Sequence, residues 1–191
     1  SSAEHPYLRV RLAGGRVVET NLVGAYNADN VMAALAVGEH FGVPLEDGVK
    51  AIEAYVPSNN RSQMTRTEHN TLIIDAYNAN PTSMAAALEN FSNVEADCKV
   101  ALLGDMLELG QESEKEHVSV IRSAASRGFA KVCFVGREFM TASSQASFDQ
   151  AHFFETSDAL AGWLAANPLE GATILIKGSR GTKMEKVITV L

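Results

Sequence analysis

Leu72-Ile73-Ile74-Asp75-Ala76-Tyr77-Asn78-Ala79-Asn80-Pro81-Thr82-Ser83-Met84 is the stretch whose reading decides the fold. Leu72 to Ile74 is a run of buried-type strand formers. Asp75 follows where that strand should end. Tyr77, Asn78 and Asn80 bring hydrogen-bonding side chains. Pro81 cannot continue a strand but suits the first turn of a helix. Thr82 and Ser83 are N-cap types, and Met84 to Leu88 is strongly helical. The stretch therefore reads as strand, polar loop, helix. In open α/β sheets, ligands bind at such junctions, at the carboxyl ends of strands. Taken alone, it equally suits a turn with capping residues.

Downstream, the same alternation repeats. Strand Met64–Glu68 turns at His69-Asn70 into Thr71–Asp75, and helix Thr82–Phe91 follows. Strand Val100–Leu103 leads through a glycine-flanked loop to a helix from Ser113 to Ser126, where Ser113 and Glu116 have capping-box spacing. Strand Lys131–Val135, a short helix, strand His152–Phe154, helix Ser157–Ala166 and strand Thr173–Ile176 come next. A short final helix carries Met184, Val187 and Ile188. Strands and helices alternating at these intervals indicate an α/β fold with a mostly parallel sheet. Right-handed crossovers then gather the loops at Asp75, Asp105, Arg137 and Lys177 on one edge.

Upstream, the pattern differs. Tyr7–Leu12 and Arg16–Asn21 flank Gly14-Gly15 as a hairpin. A helix is expected from Asn27 to His40, ended by Gly42, and a second from Pro44 through Val49 and Ile52, stopped by Pro57. Ser58-Asn59-Asn60-Arg61-Ser62 is a polar hinge with little to bury. It divides the chain into residues 1–57 and 58–191. Arg61 is either an exposed loop arginine or a phosphate contact across a domain cleft, for which a guanidinium fork is suited. The start at Ser1-Ser2-Ala3, without an initiator Met, suggests a piece of a longer chain, though tag removal alone explains it equally.

Composition narrows the function classes. The chain has 191 residues and a formal net charge of −7. With no basic stripe, this argues against a nucleic-acid partner. Cys98 and Cys133 lie in or beside strands without metal-ligand spacing, and are expected as buried free thiols of a reducing compartment. No apolar run reaches membrane-spanning length and no signal peptide opens the chain, so membrane insertion is not expected and a cytoplasmic location is. There is no glycine-rich loop ending in Gly-Lys-Ser/Thr, no GxGxxG after a strand and no His/Cys cluster for a metal. No catalytic triad can be assembled.

Two further loops carry chemistry. Lys177-Gly178-Ser179-Arg180-Gly181 places two cations, a hydroxyl and two glycines at a helix start, which suits either an anion or a solvated basic turn. Its glycines would let backbone approach a ligand. Gly104 to Gly110 carries Asp105 and Glu108, which could accept from an ammonium group or order Lys177 and Arg180. His117, one turn into the next helix, is read as structural.

The blocks Gly24-x-Tyr26-Asn27-x-x-Asn30, Asn60-Arg61-Ser62, Asp75 to Met84, Leu103-Gly104-Asp105-Met106-Leu107-Glu108-Leu109-Gly110 and Lys177-Gly178-Ser179-Arg180 occur in that order. Together they resemble the C-terminal part of the Mur ligases, in the branch that joins D-alanyl-D-alanine to UDP-N-acetylmuramoyl-tripeptide (UDP-MurNAc-tripeptide). The resemblance runs from about Gly24 to the end.

It implies a three-domain enzyme of peptidoglycan precursor synthesis, of which residues 1–57 form the last part of the central ATP-binding domain. Residues 58–191 would form the Rossmann-like third domain, with helices on both faces of its sheet. The implied reaction is ATP-dependent amide formation through an acyl phosphate, with ATP and Mg2+ as cofactors. The magnesium ligands, the phosphate loop and the sugar-binding domain would belong to upstream chain. By resemblance, Asn27 and Asn30 face the adenine, Arg61 the nucleotide phosphates and Asp75 the ribose, with Tyr77 and Asn78 lining the same cleft. Lys177, Ser179 and Arg180 match the loop near the incoming dipeptide, together with Asn80, Asp105 and Glu108. Tyr26 stands where many members have His. The 191 residues alone are expected to be inactive. The alternatives are a stand-alone α/β binding module and a sister ligase of the Mur or folylpolyglutamate type.

Overall fold

A computed structural model describes residues 7–58 and 60–191. The Ser1-Ser2-Ala3 start and Asn59 of the expected hinge lie outside the described residues.

Strands β1 (Tyr7–Arg11) and β2 (Val17–Val23) form an antiparallel ribbon, turned at Gly15 with φ 85°. Helices α1 (Asn27–His40) and α2 (Leu45–Ala54) accompany it. On α1, Asn27, Val31 and Leu35 recur every four residues and so share one buried face. Val31 and Leu35 join Val18 and Val49 in a small core of their own.

The remaining chain forms a six-stranded sheet of β3 (Gln63–Arg66), β4 (Thr71–Asp75), β5 (Lys99–Gly104), β6 (Lys131–Val135), β7 (Ala151–Phe154) and β8 (Thr173–Lys177). Its order is β3-β4-β8-β5-β6-β7, and among these pairings only β3 with β4 is antiparallel. The inner strands are apolar almost throughout because both faces are covered. Successive residues serve opposite faces. Ile73, Ala101, Leu103 and Phe134 pack with α3 (Pro81–Ser92), α4 (Ser113–Ala125) and α5 (Arg137–Ala142) through Leu88, Phe91, Ile121 and Phe139. Leu72, Ile74, Leu102 and Cys133 pack with α6 (Ser157–Ala166) and the C-terminal 3-10 segment Met184–Val190. The mostly parallel sheet with helices on both faces agrees with the sequence.

The connections explain where a ligand can enter. From β4 through β7 the chain steps across the sheet in one direction, with α3, α4 and α5 on one face. Helix α6 returns on the other face and delivers β8 between β4 and β5. The chain thus reverses its winding beside β4 and β8, and such a reversal opens a crevice at the strand ends.

Several local expectations are corrected. The N-cap of α3 is Asn80, not Thr82 or Ser83. Its side chain accepts from Ser83 N at 2.8 Å, and Ser83 Oγ accepts from Asn80 N at 3.1 Å. Pro81 occupies the first helical position, which leaves the capping task to the residue before it. The capping box expected at Ser113 and Glu116 does not form. A 3-10 turn, Gly110–Glu112, precedes α4 and draws Ser113 inside the helix, where its hydroxyl donates to Glu138. The final short helix is 3-10. Both cysteines are free, but only Cys133 is fully buried, and burial pushes its thiol up to about 12; Cys98 is partly exposed.

Asn70 closes the β3–β4 turn from within. Its Nδ2 donates to Leu169 O at 2.7 Å and Leu191 O at 2.9 Å, and its Oδ1 accepts from Ala172 N at 3.1 Å. Asn70→Ala takes the side-chain partner from Leu169 O and Ala172 N, while Leu191 O keeps the Thr67 hydroxyl at 2.9 Å, and is expected to cost roughly 2–4 kcal/mol. The midpoint of urea unfolding measures it, and an unchanged midpoint would refute this role.

Candidate functional site

The crevice beside β4 and β8 begins with an ion pair. Asp75 and Lys177 are the last residues of these strands and are register partners. Lys177 is 1 % exposed, and its Nζ lies 2.6 Å from Asp75 Oδ2 and 3.4 Å from Asn78 O. Asp75 Oδ1 accepts from Ser62 N at 3.3 Å. Breaking so buried a pair leaves a charge without compensation. Lys177 and Asp75, expected to serve separate ligands, instead hold each other.

Ser62 ties the linker on both sides. It is buried, with φ 48°. Its carbonyl accepts from Val23 N at 3.3 Å, its Oγ accepts from Asn27 Nδ2 at 2.9 Å, and the Tyr26 hydroxyl lies 3.1 Å from that oxygen. Burial first, then the charge of Asp75, pushes the Tyr26 phenol up to about 12, so it stays protonated. The expected hinge with little to bury is therefore anchored at its last residue. Asn27 also donates to Val23 O and accepts from Asn30 Nδ2 at 3.0 Å. Its amide is spent internally, whereas Asn30 is exposed.

A cleft of about 360 Å³ opens over these groups, lined by Asn30, Arg61, Asp75, Tyr77, Asn78 and Lys177 among others. Arg61 is exposed, and its guanidinium carbon lies 3.6 Å from the centre of the Tyr77 ring. Asn78 Oδ1 accepts from Ala79 N, which shapes the loop. Asn80 lines the cleft and at the same time caps α3 through its Oδ1.

Other expected ligand groups turn out to join loop to loop. Ser179 is 3 % exposed. It donates through Oγ to Ala79 O at 3.3 Å and accepts from Leu107 N at 2.9 Å. Asp105 is 4 % exposed and accepts from Glu138 N at 3.1 Å and Phe139 N at 3.0 Å, capping α5. Burial raises its carboxyl pKa, and those two backbone N–H groups oppose the rise. It does not order Lys177 or Arg180. A side chain on Gly178 would meet Thr182 Oγ1 at 2.8 Å and Gly104 Cα at 2.9 Å, so this glycine permits loop packing, not ligand approach. Glu108 and Arg180 are the exposed charged residues of these loops. His117 is fully buried, its Nε2 accepting from Met106 N at 3.0 Å and its Nδ1 lying 2.7 Å from Ser113 O, which agrees with a structural role.

A second cleft, of about 400 Å³, lies farther along the same edge between α5, α6 and the turn at Thr182. Much of its charge is paired internally, Arg137 with Glu155 at 3.4 Å and Lys186 with Asp158 at 2.6 Å. Among the described residues no three of His, Cys, Asp or Glu converge as metal ligands. No described helix is long and apolar enough to cross a membrane. Ser62 and Asn70 were not recognisable as structural nodes, because isolated polar residues in turns carry no pattern.

The profile of the Mur ligase glutamate ligase domain matches residues 60–180. The chain belongs to the Mur ligase family. It is 34% identical over 181 residues to the UDP-N-acetylmuramoyl-tripeptide–D-alanyl-D-alanine ligase of Treponema pallidum, covering 93% of this chain and 39% of that one. A crystal structure of MurF from Acinetobacter baumannii superposes with a TM-score of 0.81 at 29% identity, covering 96% and 41% of the two chains. MurF from Thermotoga maritima, solved in complex with ADP, shares the fold, with a TM-score of 0.76 at 20% identity over 95% and 42%. This Mur ligase chain spans about two fifths of the length of the relatives it matches.

Asp75→Asn leaves the Lys177 ammonium buried without its counter-charge and is expected to lower stability by roughly 3–5 kcal/mol. Asp75→Asn with Lys177→Met is expected to recover most of that loss. Equal urea midpoints for the single and double variants would contradict the pairing.

Proposed function

We propose that this chain is the C-terminal portion of an ATP-dependent ligase that adds D-alanyl-D-alanine to UDP-MurNAc-tripeptide, in the cytoplasmic stage of peptidoglycan synthesis. The observation that carries the proposal is the cleft at the β4–β8 crevice, where an exposed arginine stands over an internally neutralised ion pair. The relatives named as D-alanyl-D-alanine ligases, and the relative solved with ADP, support it. In this reading residues 1–57 close the central ATP-binding domain, and residues 58–191 carry its partner face.

The division of labour follows from what is free. ATP lies over the cleft, with Arg61 as the guanidinium available to its phosphates and Asn30 toward its base. Asp75 contributes through its hold on Lys177 and Ser62, which fixes the loop bearing Tyr77 and Asn78. Asn27 acts behind Asn30. The acceptor dipeptide lies against the two glycine-bearing loops, where Glu108 and Arg180 are exposed and Ser179 and Asp105 keep the loops in register. Preorganised groups of this kind accelerate a reaction by positioning. ATP, when bound, supplies the phosphoryl group that activates the substrate carboxylate. The phosphate loop and the Mg2+ ligands are assigned to the upstream polypeptide, so the 191 residues alone bind without turnover.

Amide NMR titration of the 191-residue chain tests this. ADP is expected to shift the signals of Asn30, Arg61 and Tyr77. D-alanyl-D-alanine is expected to shift Leu107–Gly110 and Gly178–Thr182, and L-alanyl-L-alanine to do so far less. Equal responses to the two dipeptides would count against the acceptor assignment, and silence toward ADP against the nucleotide assignment.

A further inference from the structure

Tyr77 is shared by two arginines. The Arg61 guanidinium carbon lies 3.6 Å from the ring centre and that of Arg180 lies 5.7 Å from it. The two residues come from opposite ends of the domain, one from the linker before β3 and the other from the loop after β8. Both are exposed, and among the described residues neither has a carboxylate partner. The carboxylate that lines the cleft, Asp75, is spent on Lys177 and on Ser62 N. The cleft and its rim are therefore net positive in a chain whose formal net charge is −7.

Gathering two like charges on one ring is unfavourable between the charges themselves. The negative face of the ring offsets that cost only in part. An arrangement of this kind is completed by an anion. Its chemistry can be narrowed. One guanidinium fork satisfies both oxygens of a carboxylate. A phosphoryl group offers a third oxygen, and a diphosphate more, so each can engage two forks at once.

We propose that Arg61, Arg180 and Tyr77 form a two-arginine clamp for a phosphate or diphosphate group, with Tyr77 as the platform that positions both guanidiniums. The Arg180 guanidinium then engages the phosphate, while the backbone of its loop still borders the acceptor dipeptide. The proposal rests on the nucleotide reading of the cleft only for the source of the phosphate, not for the anion site itself.

The test follows the arginine Nε–H and backbone amide signals of the 191-residue chain at low ionic strength during titration with inorganic diphosphate, ADP and D-alanyl-D-alanine. Diphosphate is expected to shift Arg61 and Arg180 together. Arg180→Gln is expected to weaken diphosphate binding, read at Arg61, about tenfold, the order lost with a charged hydrogen-bonding partner. Tyr77→Leu is expected to weaken it by a similar factor, and Tyr77→Phe, which keeps the ring, to restore it. A response to diphosphate at Arg61 alone, or wild-type affinity in Tyr77→Leu, overturns the clamp. So does a response of Arg180 to the dipeptide and not to diphosphate. If diphosphate engages both arginines while ADP engages neither, the clamp stands and the nucleotide reading falls.

Discussion

Taking an ammonium group out of water is costly unless a carboxylate and further oxygens replace the lost hydration. Lys177 ends the strand β8 with 1 % of its surface exposed, so the neighbouring strand must end in an acid and the following loop must fold back to offer a carbonyl. Asp75 and Asn78 O meet those needs. Asp75 then has a second oxygen to spare, and it receives the amide of Ser62. Through one buried cation, the end of β4, the loop before α3 and the linker from the two-stranded ribbon acquire fixed positions. The cleft above them exists because these segments cannot relax independently.

Internal neutralisation also decides which groups face outward. With Asp75 and Lys177 cancelling each other, the exposed arginines set the sign of the cleft. With Arg137 and Lys186 paired to acids, the second cleft keeps one further cation, Lys183, beside the acids Glu138 and Asp105, and so offers no excess of positive charge. Size alone would favour the second cleft. Electrostatics favours the first, which also lies where the chain reverses its winding.

The elements of this fold were legible because their signals are local. Runs such as Ile174-Leu175-Ile176, breakers such as Pro57 and glycines at helix ends act within a few residues, and α1, β4, β6 and α6 have the expected bounds. The site was legible in part. Asp75, Arg61, Tyr77, Asn78 and Asn30 do meet at one cleft. Asp105 and Ser179 have the residue types and loop positions of ligand groups, yet they bond backbone N–H or C=O groups of neighbouring loops. A polar side chain in a loop looks the same in sequence whether its partner is a substrate or a peptide group many residues away. Burial separates the two cases, and burial depends on which loops the topology brings together. Ser62 and Asn70 were missed for the same reason.

Strand β8 enters the sheet last yet lies at its middle. Until synthesis has passed residue 177, β4 and β5 each present an open edge with unpaired backbone groups, and such edges recruit foreign strands. A nascent or truncated chain lacking β8 would hold most of its helices and strands but not the joint between its two halves, and Asp75 would lack its cation. Completion of the sheet and assembly of the cleft are thus one step of folding. A chain without β8 would therefore expose two strand edges and lack the cation of the cleft at the same time.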